Sequence, residues 1–251
     1  SRICSIIIFS IDYSLTLYYY VTRQLLMEGV VGLPPMRTRD SARTKKNILH
    51  AAEQEFAEKG FYGARVDRIA EKADINKRMI YEYFGNKEEL YRTVLVTVYG
   101  RLGEQEVKLL TQDMGCVEAI RKLIQLHFDF LHDNPTYVNL ILWENLNQGR
   151  YFRKSDFKDA RDPALLQIRN IIRKGKAEGV FRESVEEDQF LLSLITFSFP
   201  YFSNRYTLSK LLAMPMDKAD DLEKRVDHVT EVLLLYLCGG KSTVETDSVD
   251  H

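Results

Sequence analysis

The chain has 251 residues, 45% of them hydrophobic and 28% charged, with a formal net charge of −1. That length suits one large domain or two modest ones around a buried core, and that charge excludes a polycation. Three cysteines, Cys4, Cys116 and Cys238, none in a CxxC pair, argue against a disulfide framework or a zinc site and for a reducing compartment.

Residues 1–36 differ in character from the rest of the chain. They run from Ile6, Ile7 and Ile8 through Tyr18, Tyr19 and Tyr20 to Leu33-Pro34-Pro35. Asp12 interrupts the apolar run, and no Ala-x-Ala cleavage site is present after it, which disfavours a signal peptide. The same charge disfavours a membrane-spanning helix of about 20 apolar residues. The segment reads as a leader outside the fold, with Met27 and Met36 as alternative starts; a genuine anchoring or packing segment is the other reading.

From Thr38 the pattern is helical. Ile48, Ala52 and Phe56 recur every fourth residue as one apolar stripe. Lys59-Gly60 supplies a cationic last turn and a glycine stop, so a first helix is predicted over Ser41 to Lys59. Short helices are predicted near Val66 to Ala73 and near Lys77 to Phe84. Gly85-Asn86 then breaks the chain, and Asn86-x-x-Glu89 reads as a capping box that opens a fourth helix.

Longer helices come next. One runs from Cys116 to His132, with Val117, Ile120, Ile124, Phe128 and Leu131 on one face. Pro135 opens another, and Asp162-Pro163 reads as a helix start with proline at the first position. Phe190 to Phe202 is very apolar and broken at Pro200. The last helix carries Leu222, Val226, Val229, Leu233 and Tyr236 at a four-three-four-three spacing, the seam of paired helices. Gly239-Gly240 ends it, and 241–251 is a polar tail. No strand alternation is visible, so the fold class is all-α.

Arg65 to Phe84 has the parts of a helix-turn-helix. Ile69 and Ala73 face inward, Ala70 is the small residue at the helix crossing, Asp74 sits in the turn, and Ile80 and Phe84 anchor the second helix. The outer face presents Asn76, Lys77, Arg78, Met79, Tyr81 and Tyr83, able to donate to phosphates and base edges or to touch a thymine methyl. Arg65, just before the first of these helices, joins that set. From Arg37 to Arg92, thirteen Lys and Arg face ten Asp and Glu. That stretch is mildly basic on a mildly acidic body, as expected of nucleic-acid binding by one part only. Upstream, Arg37, Arg39, Arg43, Lys45 and Lys46 read either as an arm along phosphates or in a minor groove, or as a solvated leader.

The run Ile48-x-x-Ala51-Ala52-x-x-x-Phe56-x-x-x-Gly60-Phe61, then Ile69-Ala70, then Ile80-Tyr81-x-Tyr83-Phe84-x-Asn86-Lys87-Glu88-Glu89-Leu90, resembles the N-terminal domain of the tetracycline-repressor family. The likeness covers about Thr44 to Leu95. It implies a helix-turn-helix DNA-binding domain over 37–86 and an all-helical ligand-binding and dimerisation domain over 87–240. It also implies that the helix at 77–84 enters the major groove, that Tyr81 and Tyr83 contact the DNA backbone, and that Lys87 meets a phosphate at a helix N-terminus. Two positions depart from the pattern. Asp74 replaces the usual turn glycine, and Ala64 stands where a capping threonine is usual.

For the body, polar or aromatic groups within apolar helices are the candidate pocket: His127, Phe128, Tyr137, Trp143, Phe199, Tyr201 and Phe202. With no acidic or basic cluster among them, a small apolar or aromatic effector is expected. His127 and His132 are five apart, off metal-ligand spacing, and no nucleophile motif occurs; no cofactor, metal or catalytic activity is expected. Leu222, Val226, Val229, Leu233 and Tyr236, together with the apolar stretch Phe190 to Phe199, are the expected homodimer interface. The leading function is a ligand-responsive dimeric repressor in the cytoplasm, on the nucleoid, with a palindromic DNA operator as partner. Rivals are a ligand-independent or chromosome-organising DNA binder of the same fold, and an interaction protein tethered through 1–26.

Overall fold

The computed structural model describes the backbone of residues 38–152, 154–216 and 218–239, and the side chains of 41–152, 161–216 and 218–239. The leader at 1–36 and the tail at 241–251 lie outside the described residues. The chain divides into two compact units, 1–44 and 45–251. Of the first, residues 38–44 are described, as helix; the second holds the remainder of that helix and all the others. The described residues form ten helices and no strand: α1 Thr38–Gly63, α2 Val66–Lys72, α3 Lys77–Phe84, α4 Lys87–Leu110, α5 Cys116–Asp133, α6 Pro135–Leu146, α7 Lys154–Ala177, α8 Glu187–Ser203, α9 Arg205–Leu211 and α10 Ala219–Cys238.

The stripe of α1 buries Ile48, Ala52 and Phe56 completely. The helix breaks where the glycine stop was expected. Gly60 has φ 64 and ψ 177, and one further turn reaches Gly63. The start of α2 lacks a cap of its own, since Arg65 makes no side-chain capping bond. Glu55, buried on α1, replaces it. Its Oε1 accepts the Arg65 N–H at 3.3 Å and its Oε2 accepts from Lys72 Nζ at 2.9 Å. One carboxylate therefore holds both ends of α2, satisfying a donor at the first turn and a cation at the last. Burial alone would raise the Glu55 pKa; the Lys72 and Arg65 hydrogen bonds outweigh it and lower it.

Asp74 takes φ 53 in the turn, a left-handed conformation that Asp tolerates better than most residues. Asn86 caps α4 by accepting the Glu89 N–H at 2.9 Å. The Asn86 N–H goes to Phe84 O, and both Glu89 carboxylate oxygens take Arg92 at 2.7 Å.

At two prolines the boundaries differ from the expected ones. α7 begins at Lys154 and passes through Pro163, and α8 passes through Pro200 to Ser203. A proline removes one backbone bond from a helix interior. Packing compensates: α7 lies along α4 in an extensive helix pairing, and α8 packs on α5 and α6. Tyr91, Phe128 and Phe190 belong to one continuous core that also includes Ile48, Ile69 and Ile80. The reading head and the body are thus joined by packing as well as by chain.

Candidate nucleic-acid interface and effector cavity

α3 divides cleanly into two faces. Ile80 and Phe84 are buried on the inner one, against Ile69, Ala70 and Ala73 of the preceding helix and turn. On the outer one Asn76, Lys77, Arg78 and Tyr81 are exposed, with Met79 and Tyr83 half-buried beside them. Asn76 is also the N-cap, its Oδ1 accepting the Arg78 N–H at 2.8 Å. That oxygen is engaged locally, which leaves the amide NH₂ for an acceptor. Lys77 pairs with Asp67 and Arg78 with Glu82, each at 2.8 Å. Pairs this exposed to water contribute little, so both cations can exchange these partners for phosphates.

The flanking cations differ in placement. Arg65 is exposed at the start of α2, and Arg43 is exposed on the first turns of α1 within the unit that ends at Thr44. Lys87, expected on a phosphate, is half-buried. Its Nζ donates to the Ala64 carbonyl at 2.6 Å and lies 4.9 Å from the Phe61 ring centroid, and burial lowers its pKa. Here it ties the start of α4 to the approach of α2, a role the spacing did not announce.

The body holds a cavity of about 390 Å³ bounded by α4 to α8. Three of the expected pocket residues, His127, Tyr137 and Phe199, line it. Phe128, Trp143 and Phe202 are corrected. Phe128 is fully buried in ring contact with Tyr201 and Phe202, which makes Phe128 and Phe202 packing residues. Tyr201 lines a second cavity, of about 410 Å³, with Phe197 and Leu208. Trp143 sits where the head meets the body. An aromatic on an apolar helix face fills core as readily as it lines a void, and spacing cannot separate the two.

Sequence reasoning missed the other nine lining residues, among them the polar Tyr99, Asn145, Arg161 and Ser198, and the carboxylate behind them. Glu106 is wholly buried. Arg161 grips it with NH1 to Oε2 at 2.5 Å and NH2 to Oε1 at 3.2 Å, and His127 Nε2 lies 2.7 Å from Oε1. Burial would raise the Glu106 pKa, but the hydrogen bonds and charges of His127 and Arg161 outweigh it and lower it. A signal was present: Glu106 interrupts the Leu102–Leu110 stripe at four-residue spacing, and a carboxylate on an apolar stripe needs a buried partner. Burial also raises the Tyr99 phenol and pushes Tyr137 up to about 12, so both stay protonated.

α6 touches both regions. Tyr137, Ile141 and Asn145 line the cavity. Between them, Trp143 Nε1 donates to Ala57 O of α1 at 3.2 Å, and its ring fills the space over Gly60. Glu144 Oε1 accepts the Tyr151 N–H at 2.7 Å, and the Tyr151 ring centroid lies 4.3 Å from that of Phe61.

Of the expected dimer interface, the buried part of the α10 seam is corrected, whereas the Phe190 to Phe199 stretch keeps Leu192 and Ile195 exposed. Val226, Val229 and Leu233 are 5%, 1% and 2% exposed in the single chain, because α10 packs on α5 and α8. Leu222 is half-buried against the same core. Tyr236 stands at its edge, with Arg182 on its ring and on its carbonyl. A heptad-like spacing marks one buried face without saying which helix covers it. Exposed apolar residues on these two helices include Leu192 and Ile195 of α8 and Leu235 of α10, 54%, 43% and 51% exposed. Among the described residues no helix is long and apolar enough to cross a membrane.

Comparison with known proteins gives concordant results. Residues 48–94 match the family model described as bacterial regulatory proteins, tetR family, and residues 117–233 match that of a tetracyclin repressor-like C-terminal domain. The chain is 35% identical over 205 residues to the HTH-type transcriptional repressor NicS of Pseudomonas putida, covering 81% of this chain and 95% of that one. It is 31% identical over 163 residues to the HTH-type transcriptional repressor SCO4008 of Streptomyces coelicolor, covering 64% and 79%. Two solved structures share the fold. The fatty acid degradation regulator FadR of Bacillus halodurans has a TM-score of 0.62 at 20% identity, covering 81% of this chain and 97% of that one. A TetR family transcription regulator of Marinobacter aquaeolei has 0.60 at 18%, covering 78% and 97%.

Proposed function

The chain belongs to the tetR family of bacterial regulatory proteins, and from that premise we propose that it is a DNA-binding, ligand-responsive dimeric repressor. The observation that carries this reading is the two-faced α3. Its inner face is anchored in the core that also holds the body, while its outer face offers Lys77, Arg78 and Tyr81 to solvent. A helix so placed can enter a major groove with its polar side toward base edges. Two copies read a palindrome if their α3 helices stand about 34–36 Å apart, which needs a dimer. The exposed Leu192, Ile195 and Leu235 of α8 and α10 are the apolar residues assigned to it. The cavity supports ligand control, since α6 carries three of its lining residues and also grips α1 through Trp143. A ligand that prefers one placement of α6 shifts the spacing of the two heads. A ligand-independent regulator of the same fold would need no such cavity.

Binding to genomic fragments that the full chain enriches tests the interface. Lys77→Ala or Arg78→Ala is expected to weaken operator binding by roughly 5- to 150-fold and to relax base preference. Unchanged anisotropy titrations for both variants would refute the assignment of this face. Light scattering tests the dimer. The natural chain should run as a dimer and the Leu192→Glu, Leu235→Glu double variant as a monomer without operator affinity. A natural chain that is monomeric at micromolar concentration removes the dimer.

A further inference from the structure

The cavity wall carries a charge that is already balanced, and this bears on what can bind. Arg161 and His127 face the cavity, with Glu106 wholly buried behind them and bonded to both. Arg161 and Glu106 form a buried ion pair, so the carboxylate already balances the guanidinium. An anion set against Arg161 would bring a second negative charge close to Glu106 in a medium of low dielectric, where like charges repel strongly.

Uncharged hydrogen-bonding groups complete the lining. Ser198 donates its hydroxyl proton to Leu194 O at 2.8 Å, and Asn145 donates its amide to Ile141 O at 2.8 Å. The oxygens of both side chains are thereby left as acceptors. Arg161 uses two of its N–H groups on Glu106 and has others for an acceptor. Tyr99, Tyr137 and Phe199 supply aromatic walls. Donors and acceptors on a wall whose guanidinium is already paired match a molecule that is itself neutral and carries both.

We propose that the cavity takes an uncharged planar ring bearing a carbonyl acceptor and an N–H or O–H donor, and discriminates against the carboxylate of the same shape. This rests on the reading of the chain as a ligand-responsive regulator and names the class of effector for it.

Calorimetry on the full chain at pH 8 tests it with an isosteric pair, 4-hydroxybenzamide and 4-hydroxybenzoate. The amide is expected to bind at least about tenfold tighter. Glu106→Gln keeps the shape, removes the balancing charge and should move the ratio at least about tenfold toward the benzoate. Leu165→Trp narrows the cavity from a half-buried position on α7 and should abolish amide uptake. Equal or tighter benzoate binding by the natural chain overturns the proposal, as does absence of saturable binding of either compound. An unchanged ratio in Glu106→Gln, or undiminished uptake in Leu165→Trp, does so too. The natural-chain ratio decides even if a variant fails to fold. Operator titration of the same preparation separates the two readings. Specific DNA binding without amide uptake removes this proposal alone, and amide uptake without specific DNA binding removes the regulator reading.

Discussion

Gly60→Ala is expected to destabilise the protein by about 3–5 kcal/mol, the sum of a backbone and a steric effect. With φ 64 and ψ 177, Gly60 occupies a region that is essentially glycine-only. A β-carbon there would also stand 2.8, 2.9 and 3.0 Å from three atoms of the Trp143 ring, closer than a packed ring tolerates. The effect is a large fraction of the stability of an ordinary domain, so a substantial drop in melting temperature should accompany it. A double-mutant cycle with Trp143→Ala separates the two parts. Removing the ring relieves the clash and leaves the dihedral strain, so a coupling of about 1–3 kcal/mol is expected. Strictly additive effects would show that the ring is not what keeps position 60 a glycine. Because α1 leads into the reading head and α6 lines the cavity, the same contact is where a shift in α6 would be felt by the head.

Arg161→Met should cost about 3–5 kcal/mol, because it leaves a wholly buried carboxylate with His127 as its remaining partner. Glu106→Gln combined with Arg161→Met should recover most of that loss, since a buried pair replaced as a unit is often close to neutral. An Arg161→Met variant within about 1 kcal/mol of the natural chain by urea unfolding would refute the role given to the pair. The pH dependence has a definite sign. The Glu106 pKa in the fold lies below its ordinary value of 4.5, so its ionised form is favoured by folding. The stabilisation is complete above the ordinary glutamate range and is lost as pH falls through the lowered pKa. Without Arg161 one of the groups that lower it is gone, and acid unfolding should move to higher pH.

The local pieces of this protein are written in short stretches of its chain. The Ile48, Ala52 and Phe56 stripe, the Gly60 stop, the Asp74 turn and the Asn86 cap are short-range facts of side-chain size, backbone preference and hydrogen bonding within a few residues. They were enough to mark out α1 to α4 and the two faces of α3. Short stretches do not specify which partner each face meets. The missing cap of α2 is supplied by Glu55 from another helix, and Lys87 turns inward to Ala64. The spaced apolar residues of α10 meet α5 and α8 of their own chain, which leaves Leu192, Ile195 and Leu235 uncovered. Phe128 and Tyr137 read alike in sequence, yet one packs in the core and the other lines the cavity. Periodicity records how often a side chain returns to one side of a helix. It takes the packed fold to bring Glu106, His127 and Arg161 together from three helices, and so to set the charge of the wall a ligand meets.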